Sequence, residues 1–248
     1  MPEGPSIVIL REAAVGFVGR KVLRVAGNSK QDLQRMHGRK IVALRSWGKH
    51  FLIEFDGFAL RVHFMLFGSY RINERREVAP RLSLGFSKGE ELNFYACSLK
   101  VVEGDLDDSY DWSADVMADE WNPASARRKL KAQPDALAAD ALLDQNVFAG
   151  VGNIIKNEVL HRIRVHPEST IGALPSRKLG ELIKQAREYS FDFYQWKKAY
   201  VLRKHYQVHT KALCPRDGNR LSYRKHLGRA QRRAFFCEVC QKLYRDDD

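Results

Sequence analysis

The stretch Leu143-Asp144-Gln145-Asn146-Val147-Phe148-Ala149-Gly150-Val151-Gly152-Asn153 is the most informative in this chain. Its two glycines, two apart, let the backbone turn tightly, and an asparagine follows where a helix can begin. Such a start presents backbone N–H groups, and their charge and the helix dipole attract phosphate. A plain turn between two helices would use the same residues, so the surrounding chain has to separate the two readings.

Working outward, the downstream residues Asn153–Ile163 are predicted as a helix, and Ala136–Asp144 as another with one apolar face. Ala124–Ala132 forms a short basic helix, and 176–206 is helix-rich with a break expected near Tyr189. Upstream the pattern changes to strands rich in β-branched and aromatic residues: Lys21–Ala26, Lys40–Ser46, Phe51–Phe55, Phe58–Phe64, Arg81–Phe86 and Leu92–Ala96. A single helix, Pro5–Phe17, precedes them, with Ile7, Leu10, Ala14 and Phe17 at helical spacing. Many short strands behind one leading helix predict a β-sandwich or flattened barrel. Between them, Glu103–Glu120 carries eight acidic residues and no lysine or arginine, which marks a surface segment leading to a boundary at Asn122-Pro123. The expected domains are therefore 1–121, 122–207 and a compact cysteine-bearing segment, 208–248.

Forty-two Lys and Arg against thirty Asp and Glu give a net charge of +12. A surplus of that size points to a polyanionic partner, most often nucleic acid. No apolar run approaches the ~20 residues of a membrane span, and no signal peptide is recognisable, so the cytoplasm is the expected compartment. Cys97 stands alone and is read as a small buried apolar residue. Cys214, Cys237 and Cys240 cluster near the end, a spacing that suggests metal rather than disulfides.

The start, Met1-Pro2-Glu3-Gly4-Pro5, has its own chemistry. If Met1 is removed, Pro2 carries a secondary amine with a pKa near ~8. Such an amine can attack an aldehyde-like carbon and form an iminium, with Glu3 beside it to move protons.

Together these motifs resemble the formamidopyrimidine-DNA glycosylase/endonuclease VIII family of DNA repair enzymes, with a start most similar to the endonuclease VIII branch. The resemblance covers the start, the helix–two-turn–helix stretch and its continuation Ile154–Leu160, and runs to about residue 243. It implies an α+β, multidomain fold: an N-terminal helix-led β-sandwich, then a helix–two-turn–helix domain with a zinc-finger-type β-hairpin. It implies a monomeric base-excision-repair enzyme acting on damaged DNA, both glycosylase and abasic-site lyase, working through a Schiff base at Pro2 with Glu3 and Lys49 in catalysis. In this reading Lys49, in Trp47-Gly48-Lys49-His50-Phe51, contacts DNA beside the lesion. His63, Asn153 and Arg232 would contact its backbone. Met65, Leu66 and Phe67 would form a wedge filling the gap of an extruded base, although one or more of the three is expected in the core. The compartment would be the bacterial cytoplasm, at the nucleoid.

A structural Zn²⁺ on Cys214, Asp217, Cys237 and Cys240 is implied, with Asp217 where the family has a cysteine. His209 is the rival fourth ligand, although the family pattern aligns it with a phosphate contact, and a metal-free hairpin is a further alternative. Two departures bear on function. Ser6 stands where family members usually have a glutamate, and Tyr95–Lys100 lacks the arginine pair of a loop that the formamidopyrimidine branch places opposite the lesion. The second departure favours oxidised pyrimidines over 8-oxoguanine. The alternatives are a purine-specific enzyme of the same chemistry and a non-catalytic damage-binding protein.

Overall fold

Proline lacks an N–H and is at home in the first turn of a helix, which is where Pro5 lies in α1 (Gly4–Ala13). Ile7, Leu10, Ala14 and Phe17 are all buried, as the spacing predicts, although the helix stops at Ala13 and a short 3₁₀ turn covers Val15–Phe17. This computed structural model describes residues 2–245, and its contacts divide the chain into two units, Met1–Tyr110 and Asp111–Asp248.

In the first unit β1 (Arg24–Ala26), β2 (Ala43–Trp47), β3 (His50–Phe55), β4 (Phe58–Ile72), β5 (Leu82–Gly85) and β6 (Glu91–Glu103) form one antiparallel sheet. Its order is β1-β5-β6-β4-β3-β2. β4 and β6 run far past the strands predicted for them, to 15 and 13 residues. Their ladder breaks register between Phe64 and Ser69, opposite Ala96, whose φ is +47°. Gly68 is required there, because a Cβ would come 2.8 Å from the Ala96 carbonyl oxygen and 2.7 Å from Phe64 Cβ. Such a break bends a strand and increases its twist. The two halves of the sheet share one core, with the Phe51 ring 5.9 Å from Phe94 and Leu82, Leu84 and Leu92 in the same cluster. This is the helix-led sandwich that the sequence predicts. A four-residue helix, α2 (Leu106–Ser109), follows the sheet.

The second unit contains α3 (Pro123–Lys131), α4 (Ala138–Leu143), α5 (Asn153–Arg162), α6 (Ser176–Lys198) and a hairpin of β7 (Ser222–Leu227) and β8 (Arg232–Phe236). The Asn122 side chain caps α3, accepting from the Ala124 and Ser125 N–H groups at 3.0 Å. α6 continues through Tyr189, which is buried, so the expected break there is absent.

Two boundaries differ from expectation. Residues 111–121 belong to the helical unit: Val116 enters its core, the Val116 N–H donates to Ala149, and Arg187 donates to the carbonyls of Val116 and Ala118. The surrounding aspartates act as local caps, Asp111 for the Ser113 N–H and Asp115 for that of Met117. Nor does 208–248 stand apart, since Leu227, Ala234 and Phe236 share the core of the helices. Among the described residues no helix is long and apolar enough to cross a membrane.

The incoming segment before the hairpin is clamped by Glu158 on α5. This carboxylate is buried and accepts the N–H groups of Gln207, Val208 and His209 at 2.9, 3.1 and 2.7 Å. Replacing Glu158 by alanine leaves the buried N–H groups of Val208 and His209 unmet, each costing about 1–3 kcal/mol, together with that of the exposed Gln207. Urea unfolding should then show a loss of about 2 kcal/mol or more, whereas a loss below about 1 kcal/mol would contradict the clamp.

Candidate nucleic-acid interface

In the first unit the candidate residues gather around α1 and one hairpin. Pro2 is half-buried and Glu3 buried immediately before α1; the Glu3 carbonyl accepts the Ser6 N–H at 2.8 Å. Removal of Met1, which the expected chemistry requires, concerns a residue outside those described. α1 packs on β2 and β3. These strands are joined by the two-residue turn Gly48-Lys49, with Trp47 paired to His50. Gly48 has φ +52°, the positive value such a turn needs at its first position, and Lys49 sits half-buried at the tip.

His63 on β4 pairs with His50 on β3, their rings 5.2 Å apart, and His50 also meets Trp47 and Tyr110. Among the described residues, His50 Nδ1 and His63 Nε2 are buried without hydrogen-bond partners. Burial first, then the charges of Arg61, His63 and Lys49, pushes His50 down to about 3; burial, Lys49 and Arg61 lower His63 as well. His50 received no role in the sequence reading, because a lone histidine beside a turn carries no pattern.

The register break exposes the three residues expected to form a wedge. Met65, Leu66 and Phe67 are 55%, 59% and 82% exposed, so none of the three is a core residue. Large apolar side chains grouped on a surface mark a contact site. Tyr95–Lys100 is not a loop here but the middle of β6, with Tyr95 paired to Ser69 and Cys97 to Phe64. Cys97 is buried as expected, which pushes its thiol up to about 12.

In the helical unit the turn before α5 is pinned by Gln145, another residue without a sequence signal. Its side chain donates to the carbonyls of Leu143 (2.7 Å) and Val151 (3.2 Å) and accepts the Gly150 N–H at 3.1 Å. Gly150, at φ +102°, supplies the turn, and Asn153 becomes the first residue of α5. Arg232 opens β8 and is exposed. The hairpin tip is held by Asp140 of α4, which accepts the N–H groups of Arg229 (2.8 Å) and Ala230 (3.0 Å).

At the base of the hairpin, ligand atoms of Cys214, Asp217, Cys237 and Cys240 all lie within 4.8 Å of one another, and all four cysteines of the chain are unbridged. Cys214 Sγ and Cys240 Sγ are 3.8 Å apart. Tetrahedral zinc with Zn–S of ~2.3 Å sets S···S near ~3.8 Å, so the thiols fit such an ion. The Asn219 N–H, with the Cys237 thiol, pulls Asp217 down to about 2 and keeps its carboxylate in the ligating form. His209 is elsewhere: its Nδ1 lies 3.0 Å from Asn157 Nδ2, and it is buried against Phe235 and Tyr206. It is therefore neither a fourth ligand nor a surface phosphate contact.

The chain thus combines a helix-led antiparallel sandwich that carries an exposed apolar bulge with a helical unit that carries a cysteine-anchored hairpin. Residues 1–97 match the formamidopyrimidine-DNA glycosylase N-terminal domain and residues 113–189 the formamidopyrimidine-DNA glycosylase H2TH domain; the chain belongs to this family, with affinity to its endonuclease VIII branch. It is 30% identical over 233 residues to endonuclease 8-like 3 of Xenopus laevis, covering 89% of this chain and 38% of that protein. Formamidopyrimidine-DNA glycosylase of Carboxydothermus hydrogenoformans is 26% identical over 267 residues, covering 98% of this chain and all of the relative (100%). The chain thus spans under two fifths of the first of these relatives. A solved Lactococcus lactis formamidopyrimidine-DNA glycosylase, bound to DNA containing an abasic site, superposes with a TM-score of 0.84 at 22% identity over 97% of this chain and 99% of that one. At that identity the likeness establishes the fold.

The histidine pair gives a pH dependence. His50 is neutral in the folded protein down to about 3, whereas in the unfolded chain it takes a proton near ~6.5. The unfolded state therefore binds the extra proton between these values, and stability that is complete above pH ~6.5 falls as pH drops. In urea titrations between about pH 7 and about pH 4.5, His50→Asn should flatten that fall by up to about 1.4 kcal/mol per pH unit. An unchanged slope would refute the neutral, buried imidazole.

Proposed function

We propose that this chain is a bifunctional DNA glycosylase and abasic-site lyase of base excision repair that removes oxidised bases, pyrimidines before purines. The observation that carries the reading is the exposed triplet Met65, Leu66 and Phe67 on a strand that also bears His63. Exposed apolar side chains cost solubility unless they enter something, and a duplex that has lost a base from its stack offers a matching gap. Relatives named as endonuclease 8-like proteins and a structural neighbour crystallised on abasic-site DNA support it. So do the basic surplus and the phosphate-suited start of α5.

The mechanism follows from Pro2 and Glu3. The unprotonated Pro2 nitrogen attacks C1′ of the damaged nucleotide, a C1′–N bond forms, and the base leaves with the electron pair of its glycosidic bond and takes up the proton that the Pro2 nitrogen releases. Glu3, buried next to Pro2 in sequence, protonates the sugar oxygen so that the ring opens to an iminium. The iminium acidifies C2′; loss of that proton expels the 3′ phosphate, and a second elimination expels the 5′ phosphate. Lys49 holds DNA beside the lesion, while His63, Asn153 and Arg232 contact its backbone. Ser6 brings no carboxylate to the start of α1, which leaves Glu3 to carry proton transfer alone there.

Borohydride trapping tests the chemistry. Protein that begins at Pro2 should form a covalent adduct with abasic-site DNA, and the same chain with an N-terminal tag blocking the Pro2 nitrogen should form none. An undiminished adduct from the tagged chain overturns the role of Pro2. Duplexes containing dihydrouracil, 5-hydroxyuracil or 8-oxoguanine decide the order of substrates.

We also infer that Cys214, Asp217, Cys237 and Cys240 hold one structural Zn²⁺, which would brace the hairpin bearing Arg232 without joining the reaction. Metal analysis should find about one zinc per chain, retained in His209→Ala and lost or sharply reduced in Asp217→Ala. Full zinc in Asp217→Ala would remove Asp217 from the ligand set.

A further inference from the structure

α5 carries a lysine where a surface helix would place an apolar residue. Lys156 is 1% exposed, one of the largest fully buried side chains in the protein. It lies near the helix N-terminus, where the dipole disfavours positive charge, and burying an ammonium costs several kcal/mol unless acceptors surround it. Two of its acceptors are now clear. Lys156 Nζ donates to Asn153 Oδ1 at 2.9 Å and to the Arg233 carbonyl at 2.8 Å. The first lies three residues away on the same helix; the second lies 77 residues on, in β8, beside Arg232.

The first acceptor belongs to a residue read above as a backbone contact, and the second to the chain neighbour of another, Arg232. With Oδ1 engaged by the ammonium, the Asn153 amide is turned so that its Nδ2 is the group left to donate. The Arg233 carbonyl, held from below, sets the position of the strand on which Arg232 and Arg233 project. An ammonium with three tetrahedral donors can hold both partners at once; a methionine of similar volume would fill the space and hold neither.

We propose that Lys156 is a positioning residue that fastens Asn153 and the arginine strand into one frame, so that Asn153 and Arg232 grip the DNA backbone as a coupled pair. This rests on the DNA-binding reading of those two residues. Lys156 itself is too deeply buried to meet a phosphate, so any effect it has on phosphate contact travels through its two partners.

The test is a set of double-mutant cycles on the dissociation constant for a duplex containing a tetrahydrofuran abasic analogue. Asn153→Ala and Arg232→Ala alter an intermediate and an exposed side chain; because Asn153→Ala also removes an acceptor of the buried Lys156 ammonium, its fold is checked by urea unfolding before binding is measured. Each should weaken binding, and the double variant should weaken it by clearly less than the product of the two, with a discrepancy of about threefold or more. Lys156→Met should weaken binding about tenfold and lower the dependence of log Kd on log salt by about one phosphate contact. A merely structural lysine would leave that salt slope unchanged. Lys156→Arg keeps donors at the site and should recover part of the loss.

If Asn153→Ala and Arg232→Ala each weaken binding but combine multiplicatively, and Lys156→Met retains the wild-type salt slope, the coupling is overturned while the DNA reading stands. If neither single variant weakens binding, the DNA-contact reading of the two residues fails, and the proposal with it. If Lys156→Met does not fold, the cycle between Asn153 and Arg232 alone decides.

Discussion

The helical unit depends on one short helix whose buried side is polar. Ile155, Lys156, Asn157, Glu158, Val159, Leu160 and His161 of α5 are all buried. The polar members reach three other parts of the chain, 207–209, 233–235 and Cys214. Lys156 takes the Arg233 carbonyl and Glu158 three N–H groups of 207–209. Asn157 takes His209, and His161 Nε2 lies 3.5 Å from Cys214 Sγ. An apolar helix at this place would gain burial but hold no backbone in register, because apolar contact is non-directional. Hydrogen bonds to carbonyl and N–H groups fix position, and their loss is costly in a site without water. The hairpin is two strands long and could not stand alone; α5 supplies what it lacks.

The first unit solves a different problem. An apolar triplet must be exposed without dissolving the sheet that carries it. β4 does so by leaving its ladder for the residues between Phe64 and Ser69 and then rejoining the same partner, β6. The flanking residues Phe64 and Tyr70 stay in or against the core, their rings 6.4 Å apart. The bulge is thus tethered at both ends by paired strand, which limits how far the exposed side chains can wander. Gly68 is the residue that permits it, since the approach to Ala96 and Phe64 leaves no room for a Cβ.

Much of this was legible in the sequence, for reasons that differ by element. The α1 stripe and the glycine turn before α5 are local, and periodicity or positive φ announces them. The three cysteines were legible from their clustering, and Asp217 only from the resemblance, which sets it where the family has a cysteine. What escaped was non-local. Cys97–Lys100 alternates buried and exposed residues as a strand should, but the acidic end of β6 and a partner more than thirty residues away hid it. The acidic strip read as a surface segment because capping aspartates look like solvent-facing charge, while the buried Val116 decided which unit owns its second half. Tyr189 was read as a break, yet a buried aromatic stabilises α6 there. Lys156, Asn157 and Glu158 look like solvated polar positions; only the segments 207–209 and 233–235 reveal that these side chains are turned inward.

These inward side chains also relate the two ends of the helix. Ten residues at ~1.5 Å rise place the ends about 15 Å apart. Asn153 stands at the first, and at the last His161 lies against Cys214 while its carbonyl accepts from Arg216 at 3.1 Å. Arg216 in turn donates to Cys240 Sγ at 3.0 Å. A short helix bonded along its length is stiff, so the cysteine group and the phosphate-suited N-terminus sit at a set separation within this unit. The hairpin is then fixed from two sides, at its base by the cysteine group and along β8 by Lys156 and Asn157. Its far tip is fixed by Asp140, which admits Gly228 only because that residue has no Cβ to strike the carboxylate at 2.4 Å. Three attachments along one two-stranded ribbon leave Arg232 little freedom to move relative to Asn153. For the phosphate contact proposed for Arg232, that lowers the entropy lost on binding.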